Sequence, residues 1–373
     1  MTVLINASNL HVGGGIQVAA SFINELYDLY KNHEKIDFHI IVSNKVYENL
    51  NKEINISKFS FFCVFDIFGK NPPPQYIIDI FNDIDIIFTI FGPLYLKCNA
   101  KIKITGFAQP WIAYPKNSAY SKLPIREVVQ NKIKFFIQKY YFKKDNHLVV
   151  EAEHVKKALV KRKIKNDKEI SVISNTYSHI FDQPYNWKPI DFQKKKYTLG
   201  FIGKSYPHKN IKILLDVDNI LKNKYHLFCD FLFTLSDIEM NKLNFSKKDN
   251  FISIGTINID QCPNFYKNID ALIFPSLLEC FSASPVEAMR MSCLVLASDL
   301  PFIKDICKDS AFYFNPLNPN DIAKVIYTSY LDETSREEKI INGLNIVKNI
   351  HTSKDRAIKY IEIINKFKKI FKD

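Results

Sequence analysis

Residues 270–289 constrain the fold of this chain more than any other stretch. Asp270-Ala271-Leu272-Ile273-Phe274 is a short apolar run that reads as a strand buried on both faces, as in parallel sheets. Pro275 to Phe281 breaks the run, and Val286, Met289 and Met291 then open a helical pattern. That order places Glu279 on a loop at the carboxyl end of a strand, where open α/β sheets bind ligands. Glu287 falls in the first turns of the following helix. The same two acids would also suit an ordinary helix N-terminus, with Ser282 or Ser284 as cap and Glu287 closing a capping box on Ser284.

The rest of the chain repeats this alternation. Apolar runs at 2–6, 38–42, 59–65, 84–90, 102–107, 148–150 and 170–173 read as strands of one sheet. Runs at 197–202, 228–233, 251–254, 270–274, 294–297 and 311–314 read as strands of a second. Helical or loop segments separate them, which implies two parallel, doubly wound α/β sheets. At 373 residues the chain is long enough for two domains. The polar segment Asp182–Lys196, with Pro184 and Pro189, makes a linker. The expected division is 1–185 and 186–352, followed by a helix within 353–373 that starts at Ser353 and runs to Phe371.

Two loops add groups suited to an anion. Gly13-Gly14-Gly15 lies between the first strand and a helix that runs to about Tyr30, so backbone N–H groups can face an anion at the helix start. The spacing is neither that of a P-loop nor that of a dinucleotide fingerprint. In the second half, Gly203-Lys204-Ser205-Tyr206-Pro207-His208-Lys209-Asn210 follows a strand and precedes a helix. Its two lysines would face the same crevice as Glu279, although loop lysines are usually solvated. Asp83 and Asp85, and Asp216 and Asp218, imitate an Asp-x-Asp metal motif but read as structural, and no metal is expected.

The seven cysteines are scattered and never form a Cys-x-x-Cys pair, which fits reduced thiols. No secretory leader is expected ahead of Val3, and no apolar run approaches the roughly 18 residues of a membrane span. The net charge of +12 is concentrated: residues 97–168 hold 18 Lys and Arg against 5 Asp and Glu. Such a patch points to an anionic partner. From Trp111 to Lys144 aromatic and basic residues interleave, and 126–142 reads as one helix with an apolar stripe of Val129, Ile133, Phe136 and Tyr140. That stripe would either face the core beneath a solvated basic face or lie against anionic lipid.

Taken whole, Pro275 to Met289, with its Pro-Ser start and Glu-Ala-Met end, resembles the donor-sugar motif of retaining glycosyltransferases of family four, which have the GT-B fold. Gly203 to Asn210 matches that family's glycine, base, Lys-Asn pattern. Gly14-Gly15-Ile16-Gln17 is similar to its amino-terminal loop, and Gly255-Thr256-Ile257 to its base-contacting loop. The resemblance implies two Rossmann-like domains facing a central cleft, with the C-terminal helix crossing back to the first. It places Glu279 on the transferred sugar, Glu287 on the nucleotide ribose, and Lys204 and Lys209 on the donor diphosphate. Gly14, Gly15, Gly203, Thr256, Ser282, Ala283 and Ser284 would line the donor. Gln109 stands near the point where relatives carry a His, and Ser282 where they usually carry Gly.

The activity so implied is transfer of a sugar, with retention, from a UDP- or GDP-sugar to a glycan acceptor. The acceptor would be carried on undecaprenyl diphosphate, in O-antigen, capsule or lipopolysaccharide synthesis. The enzyme would lie on an anionic membrane surface at the cytoplasmic face and use no cofactor. A nucleotide-sugar epimerase of GT-B type is the alternative within the fold. A basic nucleic-acid-binding protein is the alternative outside it, but no nucleic-acid module is recognisable and no nucleic-acid partner is expected.

Overall fold

A computed structural model describes residues 1–69 and 71–370. The expected end of the last helix, Phe371, lies outside the described residues. The chain forms two compact units. Residues 1–115 and 129–175, with the segment from His351 onward, make the first; residues 116–128 and 176–350 make the second.

The first unit is built on a seven-stranded parallel sheet: β1 (Val3–Ala7), β2 (Ile36–Val42), β3 (Phe59–Val64), β4 (Ile86–Thr89), β5 (Ile102–Phe107), β6 (His147–Val150) and β7 (Ile170–Val172), in the order β3-β2-β1-β4-β5-β6-β7. β1, β4 and β6 are buried along their whole length and mostly apolar because both faces are covered, as a parallel sheet requires. Ile84 was expected inside β4. It is buried but precedes the strand, since Asp85 turns to accept a hydrogen bond from the Thr2 backbone N–H at 3.0 Å. The helix Gly14–Tyr30 lays Val18, Ala19, Phe22, Ile23 and Leu26 on the sheet at helical spacing.

The C-terminal helix Ser353–Ile370 belongs to this unit, and Ala357, Tyr360, Ile361 and Ile364 form its buried stripe. The Tyr360 ring meets Phe22 and Phe88 edge-on at 5.2 and 5.1 Å. Arg356 is buried; it donates to Ser21 Oγ at 2.9 Å and also bonds the Asn175 amide oxygen. Burying a ring of this size contributes roughly 2–3 kcal/mol, so this helix is held by packing as well as by polar bonds.

The second unit has a six-stranded parallel sheet: β8 (Thr198–Phe201), β9 (Asp230–Phe233), β10 (Phe251–Ser253), β11 (Ala271–Phe274), β12 (Leu294–Ser298) and β13 (Ala311–Phe314), in the order β10-β9-β8-β11-β12-β13. The strand order reverses between β1 and β4 in one sheet and between β8 and β11 in the other. Those are the points at which loops diverge and leave a crevice.

The polar segment read as a linker is fastened to the second unit. Lys188 pairs with Asp260 at 2.7 Å, Lys194 pairs with Asp270 at 2.7 Å, and Pro189 O accepts from Gln261. Phe181, just ahead of it, is buried in that unit against Tyr266. The chain therefore changes units at residues 175 and 176, before the prolines.

The stripe on the helix Ile125–Lys144 faces outward. Phe135, Gln138 and Phe142 are buried, whereas Val129, Ile133, Phe136 and Tyr140 are 50, 57, 76 and 52% exposed. Trp111 stacks on Phe135 at 5.9 Å, and Tyr141 packs edge-on against Tyr95 at 5.0 Å. No helix among the described residues is long and apolar enough to cross a membrane.

Candidate functional site

The reversal point of the second sheet gathers the densest set of expected residues. The loop after β8 leaves through Gly203, whose φ of 133° is a conformation that side chains rarely adopt. The Gly203 N–H donates to Thr234 Oγ1 at 3.1 Å, which ties the loop to the strand beside it. Ser205 donates through both its N–H and its hydroxyl to Glu239 Oε1, each at 2.9 Å. Partial burial pushes the Glu239 carboxyl up. The hydrogen bonds from Ser205 and Ser236 outweigh that and hold it at about 2. Glu239 is thus a permanent anion that anchors the loop. Lys204 lies 3.9 Å from it and is half-exposed, so in this structure it is directed to Glu239 rather than to Glu279.

The loop then tightens through Pro207–Lys209 and ends at Asn210, which is left-handed at φ 56° and bonds Pro316 O at 2.7 Å. That turn aims Lys209 across the sheet edge. Lys209 Nζ lies 2.5 Å from Glu279 Oε1 and 5.1 Å from the centre of the Phe274 ring. Ser276 Oγ donates to the same carboxylate oxygen at 3.2 Å. Leu277 N–H donates to His208 O at 2.7 Å, joining the loops after β8 and β11.

The helix after the second loop is Ala283–Arg290, with Ser282 at its N-cap position. The capping arrangement that competed for these residues does not form. Ser282 makes no side-chain cap bond, and the first turn holds no acid. Glu287 accepts from the buried Tyr266 hydroxyl at 2.8 Å instead, and Ser284 O lies 3.2 Å from the same hydroxyl. The Glu287 side chain keeps some accessible surface, but its carboxyl group is deeply set. Burial pushes it up to about 7, only partly offset by the Tyr266 hydrogen bond.

The remaining expected residues stand apart from this cluster. Thr256 is exposed on its loop. Gly14, Gly15 and Gln109 belong to the first unit. There Gly13, at φ 78°, is the glycine whose backbone conformation requires the residue type, and it caps the helix that Gly14 begins. Asn9 Nδ2 donates to Phe91 O at 2.9 Å, so this loop also sits at its sheet's reversal point. Gln109 is the half-buried N-cap of the short helix Pro110–Ala113, and its side chain makes no cap bond.

Both Asp-x-Asp pairs have structural partners. Asp85 holds Lys101 at 2.8 Å. Asp218 is buried among Lys222, Lys248 and Asn250. Among the described residues no three His, Cys, Asp or Glu side chains gather as a metal site would. Sequence reasoning missed Tyr266, Phe274, Ser276 and Glu239. Tyr266 gives no sequence signal, because it looks like any aromatic residue on a core helix.

The family model described as glycosyl transferases group 1 matches residues 183–345. The O-antigen chain mannosyltransferase RfbU of Salmonella typhimurium is 27% identical over 191 residues, 48% of this chain and 52% of its own. The chain spans about half the length of the curated relatives it matches. Among solved structures, a glycosyltransferase from Rickettsia africae superposes with a TM-score of 0.68 at 16% identity, covering 98% of both chains. Anabaena HepE in complex with UDP-glucose superposes with a TM-score of 0.66 at 11% identity, covering 98% of this chain and 99% of its own. At such identities the likeness is one of fold. Residues 183–345 thus match the glycosyl transferases group 1 family, on a chain that has the GT-B fold.

Proposed function

We propose that the protein transfers a sugar from a nucleoside-diphosphate donor, a UDP- or GDP-sugar, to a glycan acceptor, and that the donor binds at the β8/β11 reversal point. The observation that carries this reading is the Lys209–Glu279 pair, a sheltered cation and carboxylate at the carboxyl edge of a parallel sheet. The domain family, the printed activity of RfbU and the UDP-glucose bound to HepE support it.

The chemistry follows from charge. Cleaving the donor leaves a diphosphate while the anomeric carbon becomes cationic. Lys209 exchanges Glu279 for the leaving phosphate, and the uncapped N–H groups of the helix from Ala283 add positive potential. Glu279, released, accepts hydrogen bonds from the transferred sugar, and Glu287 accepts them from the ribose. The anomeric C–O bond to the diphosphate breaks on the face where the bond to the acceptor oxygen forms, and the acceptor proton passes to the leaving phosphate. Configuration is then retained without a protein nucleophile, and in this reading without a metal.

The proposed acceptor is lipid-linked, on undecaprenyl diphosphate, with the enzyme peripheral on the cytoplasmic face of the membrane. The printed role of RfbU in O-antigen chains and the positive charge of residues 97–168 support this part. A thermal-shift screen of UDP- and GDP-sugars tests the donor reading: one nucleotide should stabilise the chain increasingly with the logarithm of its concentration. Stabilisation by none would end it, and turnover of the donor without acceptor would favour the epimerase.

A further inference from the structure

We propose that the outward face of the helix Ile125–Lys144 is a membrane-docking surface that inserts Ile133 and Phe136 at the headgroup–acyl boundary of an anionic bilayer. It rests on the peripheral-enzyme reading above and names the surface responsible. The apolar stripe Val129, Ile133, Phe136, Tyr140 keeps one helix face and is at least half exposed along its length within the first unit. The core side of the helix is already filled by Phe135, Gln138 and Phe142, so the stripe is not needed for packing.

Charge identifies the occupant. At 3.6 residues per turn, Lys132, Lys139 and Lys143 run along one edge of the stripe, and Lys144 along the other. Glu127 is the single acid in the helix. Among the described residues no acidic side chain pairs with Lys134, Lys139, Lys143 or Lys144. Partial burial, then the nearby charges of Arg162 and Lys143, hold the Lys139 ammonium below its ordinary range, so positive charge faces positive charge along that edge. An apolar stripe bordered by Lys139, Lys143 and Lys144, none of which meets an acidic partner among the described residues, matches an anionic lipid surface, which takes the side chains below and the ammonium groups at the phosphates.

A second feature lies alongside. A shallow groove of ≈420 Å³ runs beside the helix, lined by Tyr95, Gln130, Ile133, Lys134 and Ile137. Ile133 is common to the stripe and the groove. An acyl chain lying in the groove would extend the apolar contact, with Lys134 at its rim.

Flotation of the full chain with phosphatidylcholine vesicles, with and without phosphatidylglycerol, at low and high salt tests this. The wild type should float with the anionic vesicles, and high salt should release it. Ile133→Ser/Phe136→Ser and Lys139→Glu/Lys143→Glu/Lys144→Glu should each weaken binding about ten-fold or more, with unchanged melting temperature. Phe136→Leu should retain binding. Equal flotation with and without phosphatidylglycerol, or undiminished binding of the double serine variant, overturns the proposal. So does a wild type that ignores vesicles, whether as a monomer or as a dimer that Phe136→Ser dissociates. Flotation needs no nucleotide sugar, so failure of the donor reading would be seen separately in the thermal-shift screen.

Discussion

Lys209 Nζ lies 2.5 Å from Glu279 Oε1, and the two side chains are only 14 and 12% exposed. The loops that carry them follow neighbouring strands, β8 and β11, so the sheet itself fixes their separation.

A pair this sheltered ties the site to stability. Lys209→Ala leaves a carboxylate without its cation, and Glu279→Ala leaves the reverse. Each should lose about 1–3 kcal/mol of unfolding free energy. The double variant Lys209→Ala/Glu279→Ala should lose less than the sum, since no lone charge remains. Denaturant unfolding of the four proteins closes the cycle, and strictly additive losses would contradict the pairing.

Glu279 and Glu287 should separate in kinetics. Glu287→Ala is expected to weaken donor binding, whereas Glu279→Ala mainly lowers kcat, each by about 1.5–3 kcal/mol. Steady-state kinetics with the identified donor decide this, and wild-type constants in both variants would remove the assignment.

The position of Glu287 also sets a pH dependence. Its carboxyl is raised to about 7, so the ionised form, the one that accepts from ribose hydroxyls, grows as pH rises through that value. Nucleotide affinity should therefore improve with pH and level off about a unit above it. Tyr266→Phe removes the hydrogen bond that holds the carboxyl down and should move the midpoint upward. A flat affinity profile in the wild type would contradict the role.

The sequence made the strand–helix alternation legible because parallel strands buried on both faces must be continuously apolar, as at Leu272 and Phe274. Lys209 and Glu279 were legible because each sits where a strand ends. Other features depend on distant partners. Lys204 is drawn aside by Glu239 from another helix, and Glu287 leaves the capping role because Tyr266 is within reach. The helix 125–144 gives the clearest case. Periodicity groups Val129 with Phe136, but nothing in it says that Phe135, one residue away, takes the core.

Asp145 offers a test outside the site. It is buried near the start of β6, and burial raises it to about 7 against weaker opposing effects of Thr105, Lys103 and Lys165. A carboxyl raised in the folded state favours folding at low pH, and that stability is lost as pH rises from about 4 through about 7. Asp145→Asn should match the wild type near pH 4 and exceed it above pH 8, by at most about 4 kcal/mol. Melting curves across pH measure this; a variant less stable at high pH would reverse the sign.

Calorimetric titration of UDP and GDP into the wild type, Lys209→Ala and Glu287→Ala tests the central claim most directly. One nucleotide should bind the wild type, and both variants should bind it at least about ten-fold more weakly while remaining folded. Absence of binding by either nucleotide, or equal affinity in all three proteins, would contradict a donor site at the β8/β11 reversal point.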